Sequence, residues 1–174
     1  MTPNDSRENI TKPAIKRMAK EAGVQRLSED TYDHIREYIY IFLYSLLEKC
    51  IAFAVLNKRK TLIKRDIIAS LRFMGDGYSL SDEFTSTKSM KKTVRQKNNK
   101  LFIPCLPFER FAGGIANQIA PARPHFSKDF FHIIQMVTII YTTEVLQKAN
   151  LIAQTNKRPT LMVKDLSLVQ QILD

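Results

Sequence analysis

NKRKTLIKRDI (residues 57–67) returns near the other end of the chain as NKRPTLMVKDL (residues 156–166). Six of the eleven positions are identical, and the two Asn residues stand 99 positions apart. In each copy an Arg (Arg59, Arg158) precedes an Asp (Asp66, Asp165) by seven residues, with a Thr (Thr61, Thr160) placed between them to cap a helix. The Asp then falls on the second turn, where the loop Arg can fold back to it as a charge-assisted pair. The Thr hydroxyl and the first backbone N–H groups face outward, with the positive end of the helix dipole behind them, which makes an anion site. Lys58, Arg59 and Lys60 surround one copy, Lys157 and Arg158 the other. A single copy reads as a capped turn with a surface ion pair. Two copies on matching scaffolds suit a partner with regularly spaced phosphates.

The scaffolds do match. Ahead of the first copy, Pro13 suits the first turn of a short helix, AIKRMAKEA follows with apolar residues at three- and four-residue steps, and Gly23 ends it. VQRL is a loop, and Ser28 caps a run without Gly or Pro that extends to about Leu56. After the repeated stretch a second short helix runs to Met74. The second half follows the same plan. LPFERFAGGIANQIA is a short helix from Pro107, weakened at Gly113 and Gly114 by ~1 kcal/mol each. PARPHF is a loop, and Ser127 caps a long run to about Thr155. Between the halves, residues 76–100 open as a Gly/Ser/Asp-rich linker and close on SMKKTVRQK, a candidate for a short basic helix.

Both long runs are apolar around most of their circumference. IREYIYIFLYSLLEKCIAFAV (35–55) and FFHIIQMVTIIYTTEVLQKANLI (130–152) must be enclosed. Two short helices cannot enclose a long one, so the two triplets should pack together, long helix against long helix, as one intertwined core.

The chain of 174 residues carries a formal net charge of +10, which points towards polyanions, nucleic acid before anionic membrane. Polar residues break the apolar runs short of the ~20 residues that span a bilayer, and MTPNDSRENI has no apolar signal segment. No helix sets a basic face against a clean apolar one, so no membrane partner is expected. Cys50 and Cys105 are isolated and read as reduced thiols. His34, His125 and His132 have no partner at nucleophile or metal spacing, and Glu29/Asp30 and Asp82/Glu83 read as cap and linker charge. No enzyme activity, metal or cofactor is expected.

Lys-Arg-x-Thr followed by Asp after a long helix resembles the signature of the histone fold. ITKPAIKRMAKEAGVQRLS and KRKTLIKRDIIASLRFMG resemble core histone four over residues 10–75. RQKNNKLFIPCLPFERF and NLIAQTNKRPTLMVKDLSLVQQI resemble core histone three over residues about 95–174. One chain carrying both in that order resembles the fused histone doublets of marseillevirus-type large DNA viruses. The implied fold is all-α: two histone folds, each a short–long–short helix triplet, paired intramolecularly in a handshake. The implied organisation is a short tail over 1–9, a histone four-like fold over 10–75, the linker over 76–100 and a histone three-like fold over 101–174.

The resemblance further implies double-stranded DNA wrapped without base reading, through phosphate contacts and Arg side chains in the minor groove. Residues at matching positions are Lys16 and Arg17 on the first helix, Arg26 for the minor groove, Arg59, Lys60, Thr61, Arg158 and Thr160 for the second loops, and Arg110 for a phosphate. The minor-groove Arg of PARPHF is either Arg123, which the sequence favours, or is replaced by His125. Pro104 and Cys105 stand where the family carries two basic residues, which should loosen the grip there. Self-association through the histone three-like unit would use Ile152, Thr155, Arg158, Asp165, Leu168 and Ile172. A two-B/two-A-type histone or histone doublet would meet the other unit near Phe53, Leu56 and Ala69. The expected locations are the virion and viral factory, or the host nucleus. The competing reading is a histone-fold interaction module of transcription-factor or centromere type with secondary DNA binding; Arg26 and the two basic second loops favour DNA packaging.

Overall fold

The apolar runs become the two longest helices of a computed structural model that describes residues 10–74, 102–120 and 124–173. Among the described residues the order is α1 (Lys12–Glu21), β1 (Arg26–Leu27), α2 (Thr31–Leu56), β2 (Thr61–Leu62), α3 (Lys64–Phe73), α4 (Cys105–Ile119), β3 (His125–Phe126), α5 (Phe130–Thr155), β4 (Thr160–Leu161) and α6 (Val163–Leu173). This is the expected pair of short–long–short triplets, with each long helix 26 residues in length. The expected linker and its basic helix fall outside the described residues.

The compact units are not the two sequence halves. One gathers Met1–Tyr40 with Thr138–Asp174, and the other is Ile41–Val137, so each takes one end of each triplet. Inside the first unit β1 pairs in parallel with β4; inside the second β2 pairs in parallel with β3. Each bridge joins the first loop of one triplet to the second loop of the other, which is the exchange that a handshake requires.

The first unit buries Ile15 and Met18 of α1 together with Ile35 and Ile39 of α2, Leu146 and Ala149 of α5, and Leu166 of α6. Tyr38 donates its hydroxyl to the Leu166 carbonyl (2.8 Å), and Arg36 donates to the Ile10 carbonyl (2.9 Å). Lys12 braces α1 to the start of α2 by an ion pair with Glu29. The second unit buries Leu43, Leu46 and Leu47 of α2, Leu62, Ile67 of α3, Phe108 and Phe111 of α4, and Phe130 and Ile134 of α5. There the buried Gln135 side chain donates to the Ile103 carbonyl (2.7 Å) and secures the approach to α4. By length and composition α2 could cross a membrane, contrary to the sequence expectation. Ile35, Ile39, Phe42, Leu43, Leu46 and Leu47 of this helix are buried in the core, whereas Ile41, Val55 and Leu56 are exposed.

Several helix starts differ from the sequence reading. α4 begins at Cys105 with Pro104 as its N-cap, two residues before Pro107. Pro107 is therefore its third residue, where the missing N–H has no intrahelical partner to lose. Ser28 and Ser127 each begin a turn that delivers the chain to a long helix: Thr31 N–H donates to Ser28 O (3.2 Å) and Phe130 N–H to Ser127 O (3.0 Å). The ends of three helices share one geometry. Gly23, Lys58 and Lys157 have positive φ (78°, 52° and 53°), each followed by the reversed hydrogen bonds of a Schellman cap. Gly is the unstrained residue for that position, and α1 uses it; both long helices use Lys.

Candidate nucleic-acid interface

Each repeated stretch builds the same loop. After the Schellman turn, Arg59 donates through both terminal nitrogens to the two oxygens of Asp66 (2.7 and 3.2 Å) and also to the Thr61 carbonyl (3.0 Å). Arg158 grips Asp165 in the same way (2.7 and 3.3 Å). The expected Arg–Asp brace is present in both copies. It is bidentate, with the carboxylate side chains 3% and 1% exposed and the guanidinium side chains 32% and 21% exposed. The hydrogen bond to Asp66 pushes the Arg59 guanidinium above its ordinary value. Burial pushes the Asp165 carboxyl up, but the hydrogen bonds from Arg158 and Met162 outweigh it and hold the group below the usual carboxylate value.

Two details of the expected site are corrected. Thr61 and Thr160 do not cap helices; they lie in β2 and β4, where a β-branched side chain suits the extended backbone. The helices start later, so Asp66 and Asp165 are the third residues of α3 and α6 rather than second-turn residues. Each Asp there accepts a backbone N–H, from Ile63 (2.9 Å) and Met162 (3.0 Å). An internal carboxylate already occupies the positive end of each helix dipole. The free anion-binding capacity of the loops therefore lies in their side chains, not in the helix N-termini.

The bridges set first-loop residues against these braced loops. Arg26 is in register with Thr160 and Leu27 with Leu161, and Ser28 N–H donates to Leu161 O (3.1 Å). Exposed Arg26 thus stands beside the loop that carries Lys157 and Arg158. An open cleft next to it is lined by Gln25, Asn150, Gln154, Lys157, Arg158 and Pro159. In the other unit His125 is in register with Thr61 and Phe126 with Leu62; His125 N–H donates to Lys60 O and Ser127 N–H to Leu62 O, both at 3.0 Å. His125 and Lys60 are exposed and Thr61 is half-buried. Lys16 and Arg17 are exposed on α1, and Arg110 is exposed on α4. Arg123 lies outside the described residues.

Of the residues expected in self-association, Arg158 and Asp165 are engaged with each other, Leu168 and Ile172 are exposed (45% and 76%), Thr155 is exposed and Ile152 is half-buried. Around the other expected contact, Leu56 is 76% exposed, Phe53 and Ala69 are half-buried, and Phe53 meets the Phe73 ring edge-on at 6.3 Å. Sequence reasoning missed Val55, Phe73 and Leu151, large apolar side chains 62–72% exposed. For Val55 and Leu151 the signal was present, since the end of a helix apolar all round has more apolar surface than its own loop can cover; Phe73 ends the amphipathic α3 and gave no such signal. Among the described residues no three His, Cys, Asp or Glu side chains gather as a metal-binding set. Burial pushes the Cys50 thiol up to about 12 against the lowering effect of its Ser70 hydrogen bond, so it is an inert core thiol.

The family model for the core histone domain, which takes in histones two-A, two-B, three and four, matches residues 85–172. Among curated proteins, "Histone H4, major" of Tetrahymena pyriformis is 36% identical over 68 residues, covering 39% of this chain and 66% of that protein. The chain thus spans just under two thirds of that relative's length. Among solved structures, the crystal structure of the histone from Methanopyrus kandleri superposes with a TM-score of 0.58, covering 90% of this chain and 89% of that one. At 18% identity it speaks to the fold alone.

Proposed function

The chain belongs to the core-histone family, and on that premise we propose that it is a histone doublet that packages double-stranded DNA without reading its sequence. Proteins of this family are structural and not enzymes, and the family implies DNA binding and pairing of histone folds. The observation that carries the finer reading is the pair of bridges, each setting a first-loop residue beside a second loop braced by an Arg–Asp pair. Such a junction holds several cations on rigid backbone at one spot, which is what a phosphate backbone approached without base contacts requires.

In this reading Arg26 enters the minor groove, and Lys60, Thr61 and Thr160 with the exposed edges of Arg59 and Arg158 hold phosphates. Lys16, Arg17 and Arg110 add contacts along the same DNA, and the PARPHF loop adds one from Arg123 or His125. Because both Arg side chains are shared with Asp, Lys58, Lys60 and Lys157 supply the fully available charge. Two copies of the chain join through Leu151, Ile152, Thr155, Leu168 and Ile172, while Arg158 and Asp165 keep that surface in shape. A two-B/two-A-type histone or histone doublet meets Phe53, Val55, Leu56, Ala69 and Phe73. The protein acts where its DNA is packaged, in the host nucleus or in a virion and viral factory.

The exposed apolar ends of α2 and α5 would equally serve a histone-fold interaction module with secondary DNA binding. Binding of the full chain to several unrelated duplexes over a range of salt separates the two. Packaging predicts equal affinities and a salt slope equivalent to several phosphates; a slope near zero would leave only the interaction module.

A further inference from the structure

The two bridges place chemically different residues at one structural position. Arg26-Leu27-Ser28 and His125-Phe126-Ser127 are equivalent residue for residue. The first of each is in register with a Thr (Thr160, Thr61), the second with a Leu (Leu161, Leu62), and each Ser N–H donates to that Leu carbonyl. Arg26 and His125 are both exposed. Phe126 packs against Phe130 and Phe131 at 5.4 and 4.6 Å between ring centroids, which fixes β3 and with it the direction His125 leaves the chain. The second loops carry a reciprocal exchange. Where the Arg26 junction has Pro159, the His125 junction has Lys60, whose carbonyl accepts the His125 N–H. Each junction therefore keeps three permanent cations: Arg26, Lys157 and Arg158 at one, Lys58, Arg59 and Lys60 at the other.

We infer that His125, and not an arginine, is the first-loop DNA contact of its junction, so that this junction grips DNA more tightly when the imidazole is protonated. This rests on the DNA-packaging reading above. A neutral imidazole offers one N–H donor, enough for the acceptors on a minor-groove floor or for one phosphate oxygen. Protonation adds a second donor and a charge, and histidine is the side chain that makes this change between about pH 5 and pH 8. A DNA phosphate beside it favours the charged form, so binding and proton uptake reinforce each other. Charged and titratable groups on the elements that meet β3 are Lys58, Lys60 and the Arg59–Asp66 pair before and after β2, with Lys64 and Arg65 at the start of α3. On the side of β3 itself stand Lys128, Asp129 and His132. The Arg26 junction has no such dependence, so the two junctions differ: one grip is constant and the other gains one contact as pH falls.

The test is equilibrium binding of the full chain to a mixed-sequence duplex, read by fluorescence anisotropy over a salt series at about pH 5.5 and about pH 8. The unmodified chain should show a plot of log affinity against log salt steeper by ~0.9 at the lower pH, the release of one further counterion. His125→Gln should abolish that difference and His125→Arg should give the steep slope at both pH values. His34→Gln and His132→Gln should leave the difference intact. Because His125 is exposed, these variants should melt as the parent does. Equal pH responses in the parent and in His125→Gln would overturn the inference, as would a gain that disappears in Arg123→Ala instead. Salt-dependent binding in all variants with no effect at position 125 would remove this inference alone; no salt-dependent binding by any variant would remove the DNA-packaging reading with it.

Discussion

Asp165→Asn removes one charge from the most enclosed part of a second loop and keeps the shape. The Asp165 carboxylate accepts two bonds from Arg158 and one from the Met162 N–H, with its side chain 1% exposed. Asparagine retains an oxygen for Met162 but loses the charge and turns an NH2 group towards a guanidinium. A hydrogen bond to a charged group contributes ~1.5–3 kcal/mol, and the 21% exposure of the Arg158 side chain lets water recover part of the loss. The net destabilisation should be about 2 kcal/mol at neutral pH, or about 4–8 °C in Tm for a chain of this size. The sign with pH follows from the depressed folded-state value of Asp165. Stabilisation by a depressed carboxyl is complete above its unfolded value, ~3.9, and is lost as pH falls through the folded one. Urea unfolding of parent and variant at several pH values should therefore give a constant gap between neutral pH and about pH 5 that closes in stronger acid. A gap below about 0.5 kcal/mol at neutral pH, or one undiminished in acid, would refute the brace as the source of loop rigidity.

Other outcomes follow from the same geometry. Lys58→Gly should stabilise the fold by about 0.5–1 kcal/mol, because Gly accepts the left-handed backbone that Lys occupies at φ 52°. The same change should weaken DNA binding, so thermal melts and binding would move in opposite directions. Arg26→Ala and Lys60→Ala should each flatten the salt dependence of DNA binding by up to ~0.9 and weaken all sequences alike; sequence-selective loss would mean base reading. Leu168→Glu should give single chains in sedimentation velocity where the parent gives pairs, and unchanged assembly would remove α6 from the self-association surface.

The sequence carried the architecture well and the loops less well. Two Gly- and Pro-free runs, apolar on all sides, required long helices enclosed by each other's partners, and the cross-paired bridges meet that requirement. The Arg–Asp braces were legible because a seven-residue separation is short enough for one side chain to span. The role of Thr61 and Thr160 was not, since a Thr before a helix is equally a cap or the end of an extended segment, and only the opposing strand decides between them. That strand comes from the other triplet, at a distance local spacing does not encode. For the same reason the equivalence of Arg26 and His125 emerges from register: the PARPHF loop offers both an Arg and a His, and only the bridge to Thr61 aligns one of them. Lys58 and Lys157 were also hidden, because a lysine after a helix gives no sign of a left-handed backbone.

Reconstitution of the full chain with a two-B/two-A-type histone partner on about 120–150 bp of DNA, followed by nuclease digestion, tests the packaging claim most directly. The account predicts a discrete protected fragment of the same length on unrelated sequences, shortened or lost when Arg26 and Lys60 are both changed to Ala. Digestion to completion, with no protected fragment at any ratio of protein to DNA, would contradict it.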